Sequence, residues 1–499
     1  MEPILIKNFF GGISDSARRP SASEFQISKH FDIHTDPSKL TPYRDLAADT
    51  TTSVSATDLK QYFVRDFVYA SASTKLYGLG QTGAGLTKIL QKADATSGLW
   101  TTPATSEGNG AVKNGCFFEH ANYLWGFQGT TSIFKWGLLS GSPSITNAVA
   151  TVGATITSVA NGVIAPATGE AYLAYNNVIV RISQDGATVT DSAKTVPTNL
   201  KITSLANFGS FLAIGCAPKD SYNGTSKVYL WNLSSNLFAE TIEWGEGELR
   251  ILENVDGILV GVSDVYLNNS VGAGRGSMII KTYQGGAALP VKEILTKALT
   301  GKTIPLSKAV INGRLFFSAK IMTNTAGTTY NEGIWSFGRK NANYPYSLTL
   351  DVIEETVTTS GIQGFGSAAN FFFIAHSNDG SVSKTSATET YTFDSIYESQ
   401  VFDFGDSTVS KQIKLLTIYT DRITSGQSAT LKFRVDGDTA WTTVGTISTV
   451  GVVSRDFYNI ESSGADLPTF KEVEVRLEST GGAKITGFKI TPKALIGSI

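Results

Sequence analysis

Short runs of apolar and aromatic residues recur along most of the chain, separated by turn-forming Gly, Asn, Asp and Ser. Seven runs share a form: Leu76-Tyr77-Gly78-Leu79, Tyr123-Leu124-Trp125-Gly126, Tyr172-Leu173-Ala174-Tyr175, Phe211-Leu212-Ala213-Ile214, Ile258-Leu259-Val260-Gly261, Leu315-Phe316-Phe317-Ser318 and Phe371-Phe372-Phe373-Ile374. Their starts lie 39 to 57 residues apart. Each is followed by a second run of common type, from Thr87-Lys88-Ile89-Leu90 and Ile133-Phe134-Lys135-Trp136 to a weakened Ser381-Val382-Ser383-Lys384. Several are preceded by a further apolar stretch, such as Ile202-Thr203-Ser204-Leu205 or Leu249-Arg250-Ile251-Leu252. Three or four short strands per repeat of this length match a propeller blade. One blade cannot bury both of its faces, so blades must stack and close. The pattern predicts an all-β chain with a β-propeller of about seven blades over residues 50–397.

The rhythm changes near Glu398. Lys411 to Tyr419, Ala429 to Val435, Lys471 to Leu477 and Ala483 to Thr491 read as longer alternating strands. In Leu431-Lys432-Phe433-Arg434-Val435 and Val473-Glu474-Val475-Arg476-Leu477 one face is apolar and the other charged, as in half-buried antiparallel strands. Asp436-Gly437 and Gly481-Gly482 supply hairpin turns. Residues 398–499 are therefore expected to form a C-terminal β-sandwich, jelly-roll-like in its strand pattern. Residues 1–49 carry no repeat; they hold a possible strand at Phe25-Gln26-Ile27-Ser28, and because a lone strand needs a partner this N-terminal segment is expected to pack on the closing blade or its flank. The clearest helical spacing is Val291 to Leu299, too short to change the class.

Composition agrees with many strands and many turns. The 499 residues include 49 Gly, only 14 Pro and 17% charged residues, and Ser and Thr make up about a fifth of the chain. Lys and Arg total 41 against 43 Asp and Glu, with no basic run longer than Arg18-Arg19 or Arg339-Lys340, so specific nucleic-acid binding is disfavoured. The opening Met1-Glu2-Pro3-Ile4-Leu5 lacks a basic stretch and an apolar core, which predicts no signal peptide. No window is long and apolar enough for a membrane span. The triplets at Asn223, Asn232 and Asn268 carry no weight without a secretory signal.

Candidate chemistry is sparse. His30 and His34 have the spacing of two zinc ligands on a helix, yet Phe31-Asp32-Ile33 between them reads as extended chain without a third ligand; with His120 and His376 they are read as ordinary histidines. Cys116 and Cys216 sit in apolar strands and are read as packed thiols of a reducing compartment. No G-x-S-x-G elbow is present. Ser183-Gln184-Asp185-Gly186 and Ser377-Asn378-Asp379-Gly380 approach the Asp-box turns of sugar-cleaving propellers, but a plain turn satisfies them. Gly272-Ala273-Gly274-Arg275-Gly276 lacks the strand and helix of a phosphate cradle. No catalytic, cofactor-binding or metal-binding residue is nominated, no cofactor is expected, and the chain is read as a non-enzyme.

Phe9-Phe10-Gly11-Gly12-Ile13-Ser14-Asp15-Ser16, with Lys29-His30-Phe31-Asp32-Ile33 running on to Leu40-Thr41-Pro42-Tyr43-Arg44, resembles virion proteins of tailed bacteriophages. Phe402-Asp403-Phe404-Gly405 followed by Lys411-Gln412-Ile413-Lys414 resembles the start of sandwich domains in such proteins. The resemblance implies a structural tail component (a nozzle, tip-ring or fibre-anchoring protein) that sits in the virion after assembly in the host cytoplasm. Its partners would be other tail proteins and further copies in a homo-oligomeric ring, with a host-surface glycan or receptor as a further partner. Two other readings stand beside it: a receptor- or glycan-binding tail protein, and a propeller glycoside hydrolase.

Overall fold

The computed structural model describes residues 2–14, 23–49, 63–93, 99–103, 107–113, 115–219, 224–266, 276–296, 303–319, 322–323, 329–330, 333–353, 362–368, 371–376, 382–385, 391 and 394–495. They hold strands and turns, with no helix among them. The chain divides into two compact units: Met1–Asp45 with Gly333–Ile353 and Ser386–Ile499, and Leu46–Glu332 with Glu354–Thr385. This division differs from boundaries at 49/50 and 397/398. The reason lies in strand pairing: Glu24–Lys29 runs antiparallel to Ser395–Ser399, so distant segments share one sheet. Local hydrophobic pattern carries no record of such a partner.

The larger unit is a propeller. Seven inner strands, Phe63–Ala70, Phe118–His120, Val159–Ile164, Leu200–Phe208, Glu248–Val255, Thr303–Ile311 and Ile362–Ala368, each neighbour the next, and the seventh neighbours the first. That is a closed ring. Each inner strand pairs antiparallel with the strand containing one of the seven recurring runs. In blades one to five and blade seven the second recurring run forms the next strand out. In the sixth repeat that run, Gly333–Gly338, belongs to the smaller unit. Two-residue turns Ala121-Asn122, Asp256-Gly257 and Asn312-Gly313 hold positive φ at both positions, the geometry that matches strand twist.

Hydrophobic cores lie between blades. Tyr77, Leu79 and Ile89 of blade one pack with Leu124, Phe134 and Trp136 of blade two. Tyr172 and Ile179 of blade three pack with Leu212, Ile214 and Trp231 of blade four. Edge-to-face ring pairs cross three successive seams from blade one to blade four, with centroids at 5.2 Å for Tyr77–Trp136, 5.9 Å for Phe127–Tyr175 and 5.8 Å for Tyr172–Trp231. Each repeat thus completes its neighbour's core, which is why the aromatic strand motif recurs.

One local expectation changes. Leu289–Thr296 is a strand paired with Gly276–Tyr283, not a helix. Within that stretch Ile294 is buried and Val291 is exposed, and residues 297–299 lie outside the described residues. Pairing to an existing hairpin outweighs a short helical spacing. Leu46–Ala48, at the end of the N-terminal segment, closes the last blade antiparallel to Val382–Thr385, while Phe25–Ser28 pairs with Ser395–Ser399.

The smaller unit contains two main sheets. One orders Ile4–Ile6, Ile485–Ala494, Lys411–Thr420 and Ser454–Phe457, with Thr469–Phe470 also on Lys411–Thr420. The other runs from Ser347–Ile353 through Glu24–Lys29, Ser395–Ser399, Val473–Thr480 and Ser428–Val435 to Thr442–Ile447. The charged alternation behaves as read. Leu431 opposes Leu477 and Phe433 opposes Val475 on the buried face, while Lys432 opposes Arg476 and Arg434 opposes Glu474 on the other. Tyr397 of one sheet meets Phe488 of the other at 6.1 Å. Gly481-Gly482 is not a hairpin; it carries the chain from one sheet to the other, since Val473–Thr480 and Ile485–Ala494 pair with different strands. A side chain at Gly481 would strike the Gly426 carbonyl.

Candidate functional site

His30, His34 and His120 are buried in the fold. His30 ends a strand with φ 59° and is buried, which pushes its pKa from 6.5 down to about 4 against the pull of Asp45. His34 Nε2 lies 3.2 Å from the Ser347 carbonyl and 3.0 Å from its hydroxyl. Asp32 between them accepts bonds from the His34 and Thr35 amides, so the segment is a turn and the two rings never share a helical face. His120 Nε2 lies 2.8 Å from the Ser183 carbonyl. His376 closes the strand Phe371–His376, its backbone opposite Ile362. Among the described residues no three His, Cys, Asp or Glu side chains gather as metal ligands.

The remaining sequence candidates fall into place locally. Cys116 and Cys216 are buried, and burial pushes both thiols up. In Ser183–Gly186 the Ser183 hydroxyl donates to Asp185, which also accepts the Ala187 amide, while the Ser183 oxygen accepts the Thr188 amide. That turn consumes its own polar groups. Asn232 accepts the Ser234 and Ser235 amides in an Asx turn. Arg339 lies over the Tyr346 ring at 4.4 Å. Ser377–Gly380, Gly272–Arg275, Arg18-Arg19, Asn223 and Asn268 lie outside the described residues.

Three charged clusters that the repeat pattern did not mark are built into the propeller. Near the axis, Lys308 on the sixth inner strand donates to the Ser204 hydroxyl (3.0 Å) and the Leu252 carbonyl and pairs with Glu253 (3.1 Å). Asn161 extends the network, its amide donating to the Leu205 carbonyl and its oxygen accepting the Leu205 amide. Four successive inner strands are thus stitched at their bulges, where the ladder frees carbonyls. At the start of the fifth inner strand, Glu248 takes Lys201 at 2.7 Å and Arg250 at 2.6 Å, and Arg250 takes Asp264 at 3.2 Å.

The third cluster sits at the seam where the ring closes. Asp49 directly follows the closing strand, and its amide donates to the Val382 carbonyl. Its Oδ1 lies 2.6 Å from Lys92 Nζ of blade one and 2.9 Å from Lys384 Nζ of blade seven. Its Oδ2 accepts the Trp100 indole N–H at 2.8 Å. The Lys92 side chain is 1% exposed, with its Nζ 5.8 Å from the Phe373 ring centroid. Burial lowers the Lys92 pKa and the nearby Lys384 adds to the effect, with Asp49 opposing. The only available sequence signal was a lysine at the apolar end of a blade strand, too common to single out.

The outward-facing candidates are strand edges. Ser454–Phe457 ends its sheet, and Val450, Val453 and Tyr458 beside it are 64%, 53% and 65% exposed. Leu289–Thr296, outermost in blade five, exposes Leu289 at 61%. A surface cleft of about 430 Å³ in the smaller unit is lined by Ile4, Phe402, Asp403, Phe404, Ser407 and Glu472.

No family model and no curated protein matches the chain. Solved structures share its fold type at low similarity. A catalytically inactive virginiamycin B lyase from Staphylococcus aureus is 12% identical with a TM-score of 0.42, over 68% of this chain and 98% of that one. The Neurospora crassa Pan2 WD40 domain is 11% identical with a TM-score of 0.39, over 68% and 94%. BamB from Moraxella catarrhalis is 14% identical with a TM-score of 0.32, over 62% and 78%. The propeller assignment stands on the closed ring of inner strands. Among the described residues no helix is long and apolar enough to cross a membrane.

Proposed function

We propose that the chain is a structural component of a bacteriophage tail, a nozzle, tip-ring or fibre-anchoring protein that acts through protein–protein contacts. The reading rests on the resemblance of Phe9–Ser16, Lys29–Ile33 and Leu40–Arg44 to tailed-phage virion proteins. One structural observation supports it: some of the exposed apolar side chains, Val450, Val453 and Tyr458 and Leu289, lie on or beside strands at the ends of their sheets. Open edges with apolar flanks are surfaces on which other chains pair or pack. A ring would repeat one heterologous contact per subunit until it closes. The chain would be made and assembled in the host cytoplasm and remain in the virion tail.

Mass spectrometry of purified virions with immunogold labelling tests this. The expected result is several copies per particle, with label confined to the tail. Absence of the chain from particles would overturn the proposal. Saturable glycan binding by the isolated chain, without tail localisation, would replace it with the receptor-binding reading.

A further inference from the structure

We propose that copies of this chain join head to tail through one sheet of the smaller unit. The edge strand Ser454–Phe457 of one copy pairs antiparallel with the edge strand Ile4–Ile6 of the next, with Asp456 opposite Lys7. The inference deepens the ring reading above and rests on it for closure of the ring; the contact itself is a property of the chain in solution.

The two strands stand at opposite ends of the order Ile4–Ile6, Ile485–Ala494, Lys411–Thr420, Ser454–Phe457. Every pairing along that order is antiparallel. Its two edges therefore run in opposite directions, so a next copy in the same orientation presents an antiparallel partner. Backbone groups point outward at both ends. The Thr420 amide donates to the Val453 carbonyl, which by alternation turns the amides and carbonyls of Ser454 and Asp456 away from the sheet. The Ile6 carbonyl lies against Gly487, which in the same way turns those of Leu5 and Lys7 outward. The edge Thr442–Ile447 of the other sheet is closed by side chains. Arg455 donates to the Thr446 carbonyl, while Glu461 accepts the Thr446 amide and gives its own to the Val444 carbonyl. Of these two edges, Ser454–Phe457 is the one left for a partner.

Side chains set the register and the partner. Leu416 lies between Phe457 and Ile490, which opposes Ile4, and Thr417 lies between Asp456 and Lys489, which opposes Leu5. Phe457, Ile4 and Ile6 thus share one face of the sheet, and Asp456, Leu5 and Lys7 the other. Setting Asp456 opposite Lys7 brings Phe457 opposite Ile6, both buried, so the buried faces of neighbouring sheets align. The same register brings Tyr458 opposite Leu5, both exposed, so each covers the other. Unlike charges and apolar pairs directly across a ladder stabilise it. Pro3, which has no amide to give, falls beyond the paired stretch. The strand does not suit its own copy: centring Ser454–Phe457 on itself sets Arg455 against Arg455 or Asp456 against Asp456. A head-to-tail contact repeats from copy to copy until it closes.

Sedimentation velocity of the purified full chain over a rising concentration series tests the contact, and a charge swap tests the register. The wild type is expected to form heavier species as concentration rises. Lys7 and Asp456 are both exposed, so either charge is open to reversal. Lys7→Asp and Asp456→Lys, each alone, set like charges opposite and should weaken association about tenfold. The double variant should associate as the wild type does. A wild type that stays monomeric throughout overturns the contact and leaves the tail assignment to the virion measurement. Association untouched by either single variant, or not restored in the double, overturns the pairing. Association with this charge dependence in a chain absent from virions supports the contact and overturns the tail reading alone.

Discussion

Lys308 shows how a single side chain can replace a row of ladder hydrogen bonds. Its amine reaches the Ser204 hydroxyl, the Leu252 carbonyl and Glu253, so it ties the fourth, fifth and sixth blades. Lys308→Met keeps the stem and removes the charge, with its bonds to the Ser204 hydroxyl, the Leu252 carbonyl and Glu253. The expected loss is about 3 kcal/mol of unfolding free energy, read by denaturant titration. A loss within about 0.5 kcal/mol would show that the network is incidental. His30 gives a pH signature. Its folded pKa near 4 lies below its ordinary 6.5, so the unfolded chain binds a proton first as pH falls. Stability is complete above about pH 6.5 and declines toward pH 4, by up to about 3 kcal/mol. His30→Asn, which suits the left-handed backbone there, should flatten that part of the profile. An unchanged slope would contradict the assignment.

Among the elements, the closing strand is the most vulnerable. Ala47 lies opposite Lys384 in its register, and a proline there removes a donor and strains the pairing. Ala47→Pro should raise hydrogen exchange in Phe371–His376 and Leu86–Lys92 while leaving Phe211–Pro218 protected. Equal loss across all blades, or none, would argue against a local seam. The recurring strands were legible because each must present aromatic and aliphatic residues to both neighbouring blades, as Tyr77 and Trp136 do. The closing strand was not, since three residues carry no period. Leu289–Thr296 misled because a few apolar residues match a helical spacing by chance, and only its hairpin partner decides. Gly481-Gly482 reads as a hairpin from its residues, yet which strands flank it is a matter of tertiary pairing.

For the whole molecule, repeat spacing carried the architecture of the larger unit, while the interleaving of the smaller one was hidden. Residues 2–45 and 333–353 join it through pairings such as Lys29 with Leu350 and Leu40 with Ile485, which no local pattern encodes. The charged clusters were equally hidden, because Asp49, Lys92 and Lys384 come together only when the ring closes. The most direct measurement of the functional account is a cryo-electron microscopy reconstruction of the intact virion. The account predicts a seven-bladed disk of this chain in a closed ring within the tail, with strand edges such as Ser454–Phe457 covered by neighbouring chains. A fully resolved tail whose density leaves no place for this chain would contradict it.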